Sequence, residues 1–483
     1  MTADKRHQVG QRPLGLKAML FTSLVSVGLF LIVFVIFLCA ISLLLSLLLP
    51  VRAKELAKPD FTVYHTMDTT LAAVAHLVDS SKNLFIETET RKAAIAEVVD
   101  LADGDGLNDT SDTNDGNDRG GAKPYKTTMT IVTYDENEQI DQGVDKNKVL
   151  IDFGEHGREV ITTETAMTFL SALASPAIRN TILSKFHVPP HVTAELSDTL
   201  SRTIIKVIPI ENTNGRALVE RGHLCERKNG RGVDPNRNWA LDWGKKEPDY
   251  DPNEEYPGTH PFSEPEAQLL KELAESFRPD MFLNIHSGME AMFVPWDHRL
   301  DVDYGINVNG TLDMLHEIDE TFCGGRCAVG AGGKEVGYMA HGTVTDYMHE
   351  TLKVPISSTW EIYGDMQADF DDCWRMFNPI GAEEKDEVVD RWVGSLFYAI
   401  WYALSERHPV GRAKRFRVRI DGGEEWRTGN GGGQLLVVYG LLVPVVVAIA
   451  VGARNMRQRK RRGGVGGKGR RERERDVLPI ISA

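Results

Sequence analysis

The stretch Val149-Leu150-Ile151-Asp152-Phe153-Gly154-Glu155-His156-Gly157-Arg158-Glu159 decides how this chain folds. Its start is mostly apolar, which predicts a buried strand, and Gly154 permits a turn at the end of that strand. Apolar residues then recur at helical spacing, at Val160, Ile161, Ala166, Met167, Phe169, Leu170 and Leu173. The strand is followed directly by a histidine and a glutamate three residues apart. Such a pair can hold one zinc ion.

A second His-x-x-Glu pattern occurs at His223-Leu224-Cys225-Glu226, so the pattern alone proves little. Metal sites in open α/β sheets form at the carboxyl ends of strands, where the chain turns and side chains converge. Only the pattern at His156 comes after a predicted strand, because the residues around His223 are typical of a loop. Without further ligands, the better explanation would be a surface ion pair.

A second predicted strand supplies the third candidate ligand. The run 281–287 is short and mostly apolar, and His286 lies near its end. A catalytic zinc takes three protein ligands and leaves its fourth position to water. The sequence therefore predicts one zinc ion per chain, held by His156, Glu159 and His286. The alternative is an ion pair together with an unrelated core histidine.

Helical and strand patterns alternate along the middle of the chain, which predicts an α/β domain with a mixed sheet. Further strands are predicted at 129–134, 204–210 and 354–362, and helices at 71–77 and 388–405. The helix before the strand at 281–287 is predicted to have Ser263 as its N-cap, with Pro265 in its first turn and Glu266 completing a capping box.

The N-terminal region contains a candidate membrane span. Residues 18–50 carry no charge and exceed the length of about 20 residues that crosses a bilayer. Basic residues in the segment 1–17 would keep that end in the cytosol. We predict an uncleaved signal-anchor, and a cleaved signal peptide is the alternative.

A second uncharged stretch, 435–453, precedes a basic tail at 454–483, which also favours the cytosol. The expected protein is therefore an integral membrane protein of the secretory pathway or plasma membrane, with the lipid bilayer as a partner. One luminal or extracellular domain would span 60–408, and a linker would occupy 409–434. Asn-x-Thr sequons at Asn108 and Asn309 are then candidate glycosylation sites.

The chain has a net charge of −14. Both ends are basic, so the domain between them is more acidic still. Such a charge argues against nucleic acid as a partner. Within the domain, 101–123 is rich in Asp, Asn, Gly and Thr and is predicted to be a disordered acidic insertion.

Four of the five cysteines, Cys225, Cys323, Cys327 and Cys373, fall in the predicted luminal domain, where disulfides can form. Four cysteines allow three pairings, and spacing does not choose between them. The local option, Cys323 with Cys327, would leave Cys225 with Cys373.

Several separated motifs resemble those of the zinc metallocarboxypeptidases of the pancreatic A and B type. They are Cys225-Glu226-Arg227-Lys228-Asn229, Val233-Asp234-Pro235-Asn236-Arg237-Asn238-Trp239, Tyr256-Pro257-Gly258-Thr259-His260-Pro261-Phe262-Ser263-Glu264-Pro265-Glu266 and Thr359-Trp360-Glu361-Ile362. The resemblance covers about 61–407. It implies a three-layer α/β/α domain with a mixed, mostly parallel sheet, flanked here by two transmembrane helices. It also implies removal of single C-terminal residues from peptides and proteins. The segment Trp360–Asp365 is similar to plant and green-algal members.

The resemblance also implies roles for individual residues at the reacting bond. Glu361 would be the general base for a zinc-activated water. By pattern alone, Glu361 would be a surface carboxylate at a strand edge. Arg227 would stabilise the oxyanion, and Asp234 would orient His156 by accepting its other ring N–H.

Other residues of the family pattern would bind the substrate. Asn236 and Arg237 would grip the terminal carboxylate. Tyr338 would close over the substrate, and Arg158 would contact the next residue inward or, alternatively, form a salt bridge at a helix start. Thr345 occupies the pocket-floor position, which is Ile or Asp in the two main branches, so a roomy pocket is expected.

Two other functions remain as alternatives at this point. The first is a catalytically inactive, carboxypeptidase-like binding ectodomain. The second is a zinc amidohydrolase acting on N-acyl amino acids, which would share the His-x-x-Glu and second-histidine ligands. The segment before the domain is too short for the inhibitory pro-domain of digestive members, so the enzyme is expected to be made active or to be restrained in another way.

Overall fold

A computed structural model of the chain describes residues 34–37, 56–92, 125–136, 146–300, 306–337 and 339–404. The chain divides into two units, Met1–Leu56 and Ala57–Ala483. In the first unit, 34–37 is helical. The rest of the predicted span 18–50 lies outside the described residues.

Several other predictions also fall outside these ranges: the insertion 101–123, the linker 409–434, the second span 435–453, both tails and Tyr338. Within the ranges that are described, no helix is both long enough and apolar enough to cross a bilayer.

In the described residues of the second unit, eight strands form one sheet. The strands are β1 Leu84–Lys92, β2 Lys126–Tyr134, β3 Asn147–Phe153, β4 Thr203–Ile208, β5 Met281–His286, β6 Met289–Val294, β7 Ala328–Ala331 and β8 Ile356–Tyr363. Their order across the sheet is β1-β2-β4-β3-β5-β8-β6-β7. The pairs β4–β3, β3–β5, β5–β8 and β6–β7 are parallel, and the other three are antiparallel. The predicted mixed, mostly parallel sheet is confirmed.

Helices connect the strands. They are α1 Met67–Ser80, α2 Val160–Ala174, α3 Pro176–Ser184, α4 Pro190–Ser201, α5 Thr213–Glu220, α6 Pro252–Glu255, α7 Pro265–Phe277, α8 Ile306–Ile318, α9 Gly332–Glu335, α10 Val344–Glu350, α11 Cys373–Phe377 and α12 Ala382–Leu404. A 3₁₀ turn spans Pro235–Arg237, and a π turn spans Asp319–Cys323.

The sheet is covered on both faces, which explains why its central strands are apolar almost throughout. Val149 and Ile151 of β3 belong to a large core cluster that includes α2 and α12. Leu150, which points to the opposite face, belongs to a second cluster with α7 and α10. Because helices pack on both sides, the strand ends at one edge are the places where polar side chains can gather.

The start of α7 corrects one prediction. Its N-cap is Glu264, with Pro265 at the first helical position, and no side chain caps the helix. The hydroxyl of Ser263 instead donates to Glu264 and accepts from Asn238, at 2.8 and 2.9 Å. Glu266 accepts from Tyr125 at 2.5 Å. The predicted capping box is wrong because tertiary hydrogen bonds take both of its side chains.

The cysteines form the disulfide pairing that includes the local bond. One disulfide joins Cys323 to Cys327, and the other joins Cys225 to Cys373 across 148 residues. The long-range bond ties the loop before Arg227 to the start of α11.

Candidate active site

The turn after β3 places the first two predicted ligands at the sheet edge. Gly154 has a φ of +72°, a backbone conformation that favours glycine. The Gly157 N–H donates to the Arg227 carbonyl at 3.1 Å. A Cβ at Gly157 would lie 2.6 Å from the backbone of Gly215, so only glycine fits between these two loops. Close packing of backbones therefore holds His156 and Glu159 in place.

The three predicted ligands come together. The Nδ1 atom of His156 lies 2.7 Å from Glu159 Oε1. The Nδ1 atom of His286 lies 3.0 Å from His156 Nδ1 and 3.0 Å from Glu159 Oε2. All three side chains are about 1% exposed or less.

Within this group, the buried Glu159 and His286 side chains stabilise each other's charge. Burial alone would raise the pKa of Glu159, but the charges of the His156 and His286 rings hold it well below its usual range. Burial would lower the pKa of His286, yet Glu159 and Glu155 raise it well above its usual value.

The donor set fits zinc. Two imidazole nitrogens face each other at 3.0 Å beside a carboxylate oxygen. If each ligand atom lay about 2.0–2.2 Å from one zinc ion, the ligand atoms would be about as far from one another as they are in this structure. Glu155 Oε2 also approaches His286, but it faces the other ring nitrogen, Nε2, at 3.2 Å. Glu155 therefore lies behind the ring, and we assign Glu159 as the third candidate ligand.

Asp234 links the first ligand to Arg227. One carboxylate oxygen lies 3.2 Å from His156 Nε2, and the other accepts from Arg227 Nε at 2.8 Å. Burial alone would raise the pKa of Asp234, but Arg227 and His156 hold it well below its usual range. An ionised Asp234 favours the proton on His156 Nε2, which leaves Nδ1 as an acceptor towards the ligand cluster. Arg227 is thereby held with Nη1 at 3.2 Å from His156 Nδ1.

Glu361 lies on β8 beside the cluster. It is 1% exposed, and its Oε2 atom accepts no hydrogen bond within the described structure. Burial raises the pKa of Glu361 to about 8. An unpartnered buried carboxylate is costly unless a ligand or a proton transfer uses it.

Asn236 and Arg237 lie in the 3₁₀ turn, across a pocket from Glu361. Asn236 Oδ1 accepts from the Val344 N–H at 3.0 Å, which orients the amide. Arg237 Nη2 donates to Glu255 Oε1 at 2.8 Å. The two side chains line one pocket of about 400 Å³ together with His286 and Glu361.

Arg158 is engaged with the protein. Its Nη1 atom lies 2.8 Å from Glu254 and donates to the Cys225 carbonyl at 3.2 Å. The guanidinium also lies over the Phe377 ring, 4.2 Å from its centroid. The contacts of Arg158 in this structure thus include the salt bridge that was its alternative predicted role.

Thr345 is fully buried, and its hydroxyl lies 2.5 Å from that of Thr359. Thr359 lines the pocket, so Thr345 lies behind the pocket wall.

Two acidic residues near the site were not found by sequence reasoning. Asp297 lines the pocket, and its Oδ2 accepts from Thr343 at 2.8 Å. Burial, with the neighbouring charge of Asp346, raises the pKa of Asp297 to about 7. The other is Glu155, behind the His286 ring. Each could have been found as an acidic residue that follows an apolar strand, because the strands before Asp297 and Glu155 end at Val294 and Phe153.

Comparisons with known proteins agree with this geometry. A family model described as zinc carboxypeptidase matches residues 126–387. Carboxypeptidase A2 of Mus musculus is 27% identical over 167 residues, covering 32% of this chain and 37% of that protein. Carboxypeptidase B of Astacus astacus is 26% identical over 172 residues, covering 33% and 52%. The matched region is thus between about a third and half of each relative's length.

Two crystal structures share the fold. The carboxypeptidase A from Helicoverpa armigera superposes with a TM-score of 0.51 at 17% identity, covering 75% of this chain and 80% of that one. Thrombin activatable fibrinolysis inhibitor gives a TM-score of 0.51 at 15% identity, covering 71% and 75%.

Proposed function

Since this chain belongs to the zinc carboxypeptidase family, we propose that it removes single residues from the C-termini of peptides and proteins. One observation supports this most directly. One of the three candidate ligands, His286, lines a single pocket together with the unpartnered carboxylate of Glu361 and the Asn236–Arg237 pair. A peptide terminus could reach all of these groups together.

The proposed chemistry at the bond depends on Glu361 and Arg227. When bound, a zinc ion would supply positive charge that lowers the pKa of a water molecule and of the neighbouring Glu361. Glu361 accepts the proton of the attacking water and returns it to the leaving amine, because Oε2 has no other partner among the described residues. Arg227, held in orientation by Asp234, donates to the oxygen on which charge develops.

Recognition of the chain terminus is assigned to Arg237 and Asn236. A guanidinium can bind a carboxylate with two parallel hydrogen bonds. In the structure, Glu255 accepts from Arg237 at 2.8 Å, as a substrate carboxylate would. Substrate binding therefore requires Arg237 to exchange or share this partner.

Asp297 directs the choice of terminal side chain. It lines the pocket together with Arg237 and Gly332, and its carboxylate accepts a hydrogen bond from Thr343. A lysine or arginine side chain in the pocket would pair with this carboxylate, whereas an acidic side chain would be repelled. We infer a preference for basic C-terminal residues.

The test of the proposed function is the variant Glu361→Gln in the full chain. General-base catalysis contributes about 100-fold or more, so peptide hydrolysis should fall by at least that factor while bound zinc is unchanged. Glu350→Gln, at the exposed end of α10, is the matched control and should keep full activity. Undiminished hydrolysis in the Glu361 variant would contradict the mechanism.

The two alternative functions give different results with the unmodified chain. Hydrolysis of N-acyl amino acids, with no cleavage of peptides that have a free C-terminus, would identify an amidohydrolase. A chain that binds no zinc and cleaves neither substrate would be a binding domain.

We further propose that uncharged stretches at 18–50 and 435–453 tether the domain to a membrane, with the domain luminal or extracellular. The support is their length and lack of charge, together with the basic residues that flank them. The full chain should stay with membranes in an alkaline carbonate wash and be released by detergent. Release by carbonate alone would contradict the tether.

A further inference from the structure

Three acidic side chains are buried together behind the candidate zinc site. Asp152 is the polar residue of β3, Glu155 comes just after that strand, and Glu211 comes just after β4. Their exposed fractions are 0%, 1% and 1%. One carboxylate oxygen from each lies within 4.8 Å of the others. The Glu211 N–H donates to the Phe153 carbonyl at 2.9 Å, so the backbone fixes this arrangement.

These carboxylates lack an ordinary cationic partner within the described ranges. Among those residues, no lysine or arginine forms an ion pair with any of the three, and the one charged contact is His286 with Glu155. Asp152 and Glu211 share a hydrogen bond with each other, and apart from that contact neither of these side chains nor Oε1 of Glu155 accepts a hydrogen bond from another described side chain. Burying three carboxylates without compensation is strongly unfavourable, so something else must balance their charge.

A neutral side chain provides an independent sign of a ligand. Asn284 is the register partner of Asp152 on neighbouring strands, and it is fully buried. Its amide nitrogen donates to Glu155 Oε2 at 2.7 Å. The carbonyl oxygen of the same amide, Oδ1, has no hydrogen-bond donor in the described part of the chain. The buried amide that contacts Glu155 therefore offers one further oxygen acceptor without a partner among the described residues.

We propose that Asp152, Glu155, Glu211 and Asn284 bind a second divalent cation, a hard ion such as calcium, separate from the zinc site. Carboxylate and amide oxygens are the ligands that calcium prefers, at about 2.3–2.6 Å. Two ligands on opposite sides of such an ion lie about 4.8 Å apart, which is twice the distance from the ion to one ligand. One ion can therefore reach all three carboxylates. Zinc is less suited here because it favours nitrogen and sulfur donors. Magnesium usually keeps several waters, for which a fully buried cluster leaves little room.

The second ion would also influence the zinc site. Glu155 Oε2 lies 3.2 Å from Nε2 of His286, whose Nδ1 faces the zinc ligands. The two ions would thus lie on opposite sides of the His286 ring. The competing explanation is that the carboxyls share protons, because burial raises the pKa of Asp152 to about 8.

The test is the metal content of the purified full chain after equilibration with zinc, calcium and magnesium salts and removal of free ions. Elemental analysis should find one zinc ion and one calcium ion per chain. Asp152→Asn and Glu211→Gln keep the side-chain shapes and should each reduce calcium at least tenfold while zinc stays at one. Glu164→Gln removes another buried carboxylate, which pairs with His65, and should leave both ions in place.

Two results would overturn the proposal. A wild-type chain with one zinc ion and no second metal would show that protons neutralise the cluster. A second metal that persists in both variants would lie elsewhere. If the variants fail to fold, the wild-type Tm still decides, because a bound ion must raise Tm in a saturable way with added calcium. Zinc content and peptidase activity test the proposed function. Its failure can therefore be distinguished from the failure of the second-cation proposal.

Discussion

His286 and Glu361 are register partners on the neighbouring parallel strands β5 and β8. The sheet backbone thus holds a candidate zinc ligand and the unpartnered carboxylate side by side at the same edge. His156 reaches that edge from β3, the strand on the other side of β5. The carboxyl ends of three adjacent parallel strands therefore bring His286, Glu361 and the turn that carries His156 to the same edge of the sheet.

The two His-x-x-Glu patterns provide a matched pair of variants. His156→Ala should abolish stoichiometric zinc binding, because it removes a ligand whose ring is completely buried. His223→Ala changes an exposed histidine in the other pattern and should leave zinc at one per chain. Zinc can be counted by elemental analysis. Equal zinc loss in both variants would contradict the assignment.

Exchange of Arg237 for lysine should weaken substrate binding. Lysine keeps the positive charge but loses the planar fork, so KM for peptides should rise by about tenfold or more, with a smaller change in kcat. With an amidated peptide, which lacks the terminal carboxylate, the KM of the variant should differ little from that of the wild type. Steady-state kinetics with both peptides measures this difference.

Glu255 competes with the substrate for Arg237, since the two residues form a 2.8 Å ion pair. Glu255→Gln should therefore lower KM or leave it unchanged. A large rise in KM would show instead that Glu255 is needed to position the guanidinium.

Asp297 should make residue preference depend on pH. Its carboxyl has a pKa of about 7. It is therefore neutral below that pH and negatively charged above it. The ratio of kcat/KM for C-terminal arginine over leucine should rise as pH increases through about 7. Asp297→Asn should flatten this ratio, and an unchanged pH profile in that variant would contradict the role.

Of the two disulfides, the long-range one should contribute more to the free energy of unfolding. Cys225 and Cys373 close a loop of 148 residues, whereas Cys323 and Cys327 are four apart. The loss of unfolded-chain entropy grows with loop length, so replacing the first pair by serine should cost about 3 kcal/mol more than replacing the second. Denaturant unfolding of both double-serine variants gives the comparison. Equal losses would show that native packing, not loop closure, sets the difference.

Much of the candidate site could be predicted because its signals are local. The strand, the turn at Gly154 and the helix after it are encoded within one short segment. The motifs around Arg227, Asn236 and Glu361 were identified by resemblance. The structure brings Asn236 and Glu361 to one pocket and holds Arg227 beside His156. The capping box at Ser263 failed for a nonlocal reason, since Asn238 and Tyr125 bind its side chains.

The sequence by itself determined the alternation of strands and helices and the three candidate zinc ligands. Those depend on hydrophobic spacing and on the residues at the end of each strand, which are properties of short segments. Only the tertiary structure decided that Asp297 enters the pocket, that Glu255 binds Arg237, and that Asp152 lies with Glu211. These contacts join residues from separate elements, and their energetics depend on burial. Burial is set by how the helices cover both faces of the sheet, which no local pattern specifies.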